Sequence, residues 1–215
     1  MIDTVIFDFD GLLVDSETVF YQLYQDLLTQ YGKGFTKKQY GDKYCGRKLT
    51  ENINDIINDF SLPLSFDEVN HFIEEDEERY IQKGIPLKSG ALELLNYLKK
   101  NNYKIILATS SLPERAIRIL KYNKVENYFN AMVFGSDVKR GKPQPDVFLL
   151  AKDKANSKKE NCLVLEDSQQ GIMAACSAGI KVICIPDVKM PDKDILLKCE
   201  RVYSDLSKVI TYLSE

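Results

Sequence analysis

Two aspartates, Asp8 and Asp10, stand two residues apart where the apolar run Thr4-Val5-Ile6-Phe7 gives way to polar sequence. Strand side chains alternate faces, so both carboxylates would share one side, with Phe7 and Phe9 on the other. Like charges held that close repel, so a cation or a reaction must offset them. Three more polar stretches each follow an apolar run: Thr109-Ser110-Ser111, Lys142 in "RGKPQPD", and Glu166-Asp167-Ser168. Read singly, these are a helix N-cap region, a surface turn lysine and the cap of another helix. Read in order, each after a strand, they bring carboxylates, a hydroxyl and a lysine to one place. That set suits a Mg²⁺ ion, which prefers hard oxygen ligands, and a phosphate.

Positioning these groups is a task for the elements between them. Strand-like runs at Thr4–Phe7, Lys104–Ala108, Met132–Phe134, Cys162–Leu165 and Val182–Ile185 alternate with helical patterns over Ser89–Lys100, Pro113–Tyr122, Pro145–Ala155 and Ser168–Ala178. A short strand near Val202 and a helix over Leu206–Leu213 close the chain. Continuous apolar strands between amphipathic helices predict an α/β fold with a parallel sheet covered on both faces. Ligands of such sheets bind beyond the carboxyl ends of the strands, where all four polar stretches fall.

Between Asp15 and Gly84 only helical patterns appear, over Ser16–Gly32, Leu49–Phe60 and Phe66–Gln82. From Asp15 to Lys83 there are 14 acidic and 8 basic residues, net -6 in a chain of net -3. The expected organisation is a core of residues 1–14 and 84–215, with residues 15–83 inserted as a small helical domain.

The 215 residues are enough for a core that needs no staples. The net charge of -3 and the lack of a basic stripe give no pull toward nucleic acid or an anionic membrane. No apolar run approaches the ~20 residues that cross a bilayer. Five cysteines, odd in number and without a CxxC pair, read as free thiols in a reducing compartment, and the expected location is the cytoplasm. The lone His71 lies in a polar stretch and reads as a surface residue, which leaves any catalysis to carboxylates and lysine. A monomer is expected.

The stretches "DFDGLLVDSE", "LATSS", "GKPQPD" and "LEDSQQGI" resemble the four motifs of the haloacid dehalogenase-like (HAD) superfamily, in the branch of β-phosphoglucomutase and small sugar-phosphate phosphatases. The resemblance spans nearly the whole chain. It implies a Rossmann-like core with strand order 5-4-1-2-3, an α-helical cap domain and Mg²⁺. It also implies that Asp8 is a nucleophile forming an aspartyl-phosphate, and that Asp10 is the acid and then the base. Asp167, Asp8 and the Asp10 backbone carbonyl would hold the metal, with Glu166 in or near that shell. Thr109 and Lys142 would grip the phosphoryl oxygens, with Ser110 beside them. Gly46, Arg47 and Lys48 would form the cap's specificity loop, or a solvated pair at a helix start.

The resemblance to β-phosphoglucomutase further predicts a histidine where Phe20 stands, a lysine where Cys45 stands and another near Asp76, and an asparagine where Pro113 stands. These departures favour hydrolysis of a small phosphorylated metabolite, such as a sugar phosphate, over phosphosugar mutation. A sensor that binds such a metabolite without turnover is the distant alternative.

Overall fold

The computed structural model describes all 215 residues, Met1 to Glu215. It divides into two compact units, Met1–Asp15 with Pro86–Glu215, and Ser16–Ile85. The first strand, β1 (Thr4–Phe7), is buried at every residue.

After it comes the helical unit: α1 (Ser16–Gln30), α2 (Lys37–Lys43), α3 (Leu49–Phe60) and α4 (Phe66–Lys83). Helix α4 packs against both α1 and α3. Val19, Leu23, Leu27, Ile53, Ile56, Val69 and Ile73 form its buried faces. Around Tyr24 stand the rings of Phe35, Tyr40 and Tyr44, 6.0 to 6.4 Å away. Helix α2 has no counterpart in the sequence reading. It is seven residues long and carries Gly41, which costs a helix interior about 1 kcal/mol. A reciprocal capping box between Thr36 and Gln39, with burial of Tyr40, offsets that cost.

The chain then builds α5 (Ala91–Lys100), β2 (Lys104–Ala108), α6 (Pro113–Tyr122), β3 (Ala131–Val133), α7 (Asp146–Lys154), β4 (Cys162–Glu166), α8 (Gln169–Ala178), β5 (Lys181–Cys184), α9 (Lys193–Leu196), β6 (Arg201–Val202) and α10 (Lys208–Ser214). All strand pairs are parallel, in the order β3-β2-β1-β4-β5-β6. The expected 5-4-1-2-3 order is present, with β6 added outside β5. β1 lies between β2 and β4, with Phe7 opposite both Leu107 and Leu165. Ile6, Ile106 and Val164 pack on one face with Phe148 of α7 and Ile172 of α8, all fully buried. Each such buried side chain contributes about 1.5–3 kcal/mol to holding the sheet centre together. Where the chain leaves and re-enters the sheet unit, Asp15 N–H donates to the Pro86 carbonyl at 2.9 Å and Lys88 N–H to that of Leu13 at 2.9 Å. No helix is long and apolar enough to cross a membrane. All five cysteines are free.

Candidate active site

The sheet ladder continues one residue past the strands and holds two polar residues at their carboxyl ends. Asp8 N–H donates to the Leu165 carbonyl and Thr109 N–H to that of Val133, both at 3.0 Å. Glu166 is the last residue of β4, and Lys142 lies between β3 and α7. The Lys142 ammonium donates to Asp8 Oδ1 and, at 2.6 Å, to Glu166 Oε1. It also sits 4.9 Å from the centre of the Phe148 ring. Asp8, Thr109, Lys142 and Glu166 are all buried or nearly so.

Glu166 occupies the N-terminal end of α8. Its Oε2 accepts from Asp167 N–H at 3.0 Å, Ser168 N–H at 2.9 Å and Ser168 Oγ at 2.9 Å. Backbone donors and the helix dipole there both favour an anion. Asp167, one residue on, reaches the same space, and one oxygen each from Asp8, Glu166 and Asp167 lie within 4.8 Å of one another. Gly11 makes this approach possible. Its φ is +77°, and a Cβ there would come 2.5 Å from Asp167 Oδ2.

Charge and burial work against each other here. Desolvation pushes the Asp8 carboxyl up to about 7; Lys142 opposes this, while Glu166 and Asp10 push the same way. Burial alone would lower the Lys142 ammonium, but Asp8 and Glu166 more than reverse it, so it stays charged.

Asp10 turns to different partners. Its Oδ2 accepts the Ser111 hydroxyl, and its Oδ1 accepts Arg115 Nη1 at 2.7 Å. The same nitrogen lies 2.9 Å from Ser111 Oγ, and Ser111 N–H donates to Thr109 Oγ1 at 2.9 Å. Ser110 is exposed, with its carbonyl carrying the close approach to Gly135.

Residues 5–185 match the family model described as haloacid dehalogenase-like hydrolase. The chain belongs to that family. Over 181 residues it is 33% identical to the phosphorylated carbohydrates phosphatase of Thermotoga maritima, covering 84% of this chain and 83% of that one. It is 30% identical over 211 residues to the mitochondrial (DL)-glycerol-3-phosphatase 1 of Arabidopsis thaliana, covering 94% and 70%. A solved Thermotoga maritima structure, provisionally named a beta-phosphoglucomutase, shares 29% identity over 99% of both chains with a TM-score of 0.85.

In this HAD-like hydrolase the residues fit the Mg²⁺ that the family implies. Asp8, Glu166 and Asp167 are an all-carboxylate, hard-oxygen donor set, and a divalent cation among them would relieve their mutual repulsion. Most of the residues singled out from the sequence, namely Asp8, Asp10, Thr109, Lys142, Glu166 and Asp167, lie at the carboxyl ends of the strands in the sheet unit. Gly46, Arg47 and Lys48 belong to the helical unit. There Arg47 is bound by Asp55 at 2.6 Å and Glu51 at 3.5 Å, while Lys48 is exposed at the start of α3. Arg47 also edges a cavity of about 120 Å³ with Phe20, Tyr24, Tyr40, Tyr44 and Asn52. His71 is exposed beside Glu75.

Sequence reasoning missed Arg115. One signal was available: an arginine at the third position of α6, where a cation opposes the positive end of the helix dipole. An anion nearby offsets such a placement, and Asp10 supplies one.

Proposed function

We propose that this hydrolase is a Mg²⁺-dependent phosphatase of a small phosphorylated metabolite, probed first as a sugar phosphate, acting through an aspartyl-phosphate on Asp8. The observation that carries this reading is the buried Lys142 ammonium set between Asp8 and Glu166, with Asp167 beside them and Asp10 two residues on. A phosphate ester is anionic and so is its nucleophile, so the site must carry positive charge. Asp8, Asp167 and the Asp10 carbonyl would hold Mg²⁺, with Glu166 in or near its shell. Bound there, the ion would neutralise charge on the phosphoryl oxygens.

The residues then divide the work. Asp8 attacks phosphorus and the bond to the ester oxygen breaks. Asp10 gives its proton to that oxygen, and the alcohol leaves. Asp10, now a carboxylate, takes a proton from water as the water oxygen attacks phosphorus. The bond from phosphorus to Asp8 breaks, releasing inorganic phosphate and restoring Asp8. Lys142 neutralises Asp8 and, with Thr109, binds phosphoryl oxygens. Ser110, next to Thr109 in the sheet unit, is assigned to substrate binding.

Hydrolysis is favoured over transfer back to a sugar by the helical unit's own residues. Phe20, Cys45 and Asp76 replace cationic or protonatable groups, and Arg47 is neutralised by Asp55 and Glu51. The test offers purified protein Mg²⁺ and a panel of phosphorylated sugars including β-glucose 1-phosphate, following inorganic phosphate and glucose 6-phosphate together. Phosphate release that vanishes in Asp8→Asn supports the phosphatase. Glucose 6-phosphate with little free phosphate would make the protein a mutase instead.

A further inference from the structure

We propose that Arg115 is a positioning residue for Asp10: with Ser111 it holds the Asp10 side chain in the orientation that serves proton transfer to and from the reacting oxygens. This rests on the phosphatase reading and adds to it a residue that the four motifs do not contain.

The three groups form a closed triangle. Arg115 Nη1 lies 2.7 Å from Asp10 Oδ1 and 2.9 Å from Ser111 Oγ, and the Ser111 hydroxyl donates to Asp10 Oδ2. A carboxylate with one donor on each oxygen cannot rotate about its Cβ–Cγ bond without breaking a bond. Charge-assisted bonds of this length are the stronger kind. The Arg115 side chain is only 15% exposed and that of Asp10 28%, so water competes weakly for either.

The placement of Arg115 also argues for a purpose. At the third residue of α6 its charge opposes the helix dipole, an unfavourable placement that a glutamate or alanine would avoid. The triangle further reaches the phosphate grip, because Ser111 N–H binds Thr109 Oγ1. One short loop therefore sets the geometry of a phosphoryl-binding hydroxyl and of the proton-transfer group together.

A group that positions an acid matters in proportion to how much the leaving group needs a proton. The test measures kcat/KM for 4-nitrophenyl, phenyl and benzyl phosphate, probes of similar shape whose leaving groups are successively poorer. Arg115→Met is expected to lower kcat/KM for benzyl phosphate by about 10²-fold and for 4-nitrophenyl phosphate by less than about 3-fold, the range general acid catalysis supplies. Arg115→Lys restores part of the benzyl rate. In an Asp10→Asn background, Arg115→Met adds no further leaving-group selectivity. Ser111→Ala gives the same pattern and stands in should Arg115→Met fail to fold. An equal loss on all three esters, or no loss on any, overturns the assignment. Wild-type protein that cleaves neither these esters nor any member of the phosphorylated-sugar panel refutes the phosphatase reading, and this assignment falls with it.

Discussion

Gly171, in the first turn of α8, faces the carboxylate of Glu166 so closely that a Cβ built on it would overlap Oε1 and Cδ. The last residue of β4 is thus folded back against the helix that follows it. The Glu166 carboxylate sits there between backbone donors on one oxygen and Lys142 on the other. Gly171→Ala is expected to destabilise the fold by about 1–3 kcal/mol, as overpacking does, and to lower turnover more than stability alone explains. Thermal unfolding and phosphate release at a temperature where the variant is folded would separate the two effects.

Lys142 is the one cation found between Asp8 and Glu166. Replacing it with methionine leaves two buried carboxylates facing each other uncompensated, a loss of about 3–5 kcal/mol for a broken buried pair. Denaturant unfolding of Lys142→Met beside the wild type checks this, and a shift under about 1 kcal/mol would show the carboxylates to be otherwise neutralised.

Removing divalent cations with a chelator should abolish turnover, and adding Mg²⁺ back should restore it. A ligand that binds only the folded state stabilises it by about 2.7 kcal/mol at a hundred times its Kd. A rise in unfolding temperature with Mg²⁺ is therefore expected in the wild type and absent in Asp167→Asn.

Thr109 is buried and oriented by Ser111 N–H. Thr109→Val preserves the shape and removes the hydroxyl. A loss of about 10²-fold in kcat, typical of one missing oxyanion-type donor, is the expected result of steady-state kinetics on any ester the wild type cleaves.

Asp59 in α3 accepts hydrogen bonds from Lys43 and the Tyr44 hydroxyl, which hold its carboxyl below the usual range despite some desolvation. A depressed value in the folded state means stabilisation that is complete above the unfolded value of 3.8 and is lost as pH falls through the folded one. Asp59→Asn should therefore lower the urea midpoint at pH 6, with the difference from wild type shrinking below about pH 4.

Much of the sheet was legible because the central strands are short, mostly apolar runs, as strands buried on both faces must be; Thr4–Phe7 and Cys162–Leu165 are read directly. The catalytic candidates were legible for a related reason. Asp8, Thr109 and Glu166 follow those runs immediately, and a parallel sheet brings all its strand ends to one edge. Helix α2 was hidden because Gly32, Gly34 and Gly41 argue against a helix locally, while the burial of Tyr40 that sustains it is a tertiary contact.

The residue types by themselves determined the α/β layering and the identities of the groups beyond the strand ends, since these depend on periodicity and spacing along the chain, while the family was carried by the resemblance of four motifs and by the family-model match. Only the tertiary structure decided how those groups are partnered. That Lys142 bridges Asp8 and Glu166, that Arg115 turns to Asp10, and that Gly171 makes room for Glu166 are contacts across 134 and 24 residues, 105 residues and five residues. Hydrogen bonds and ion pairs act over a few ångströms in space, and sequence separation does not register that distance.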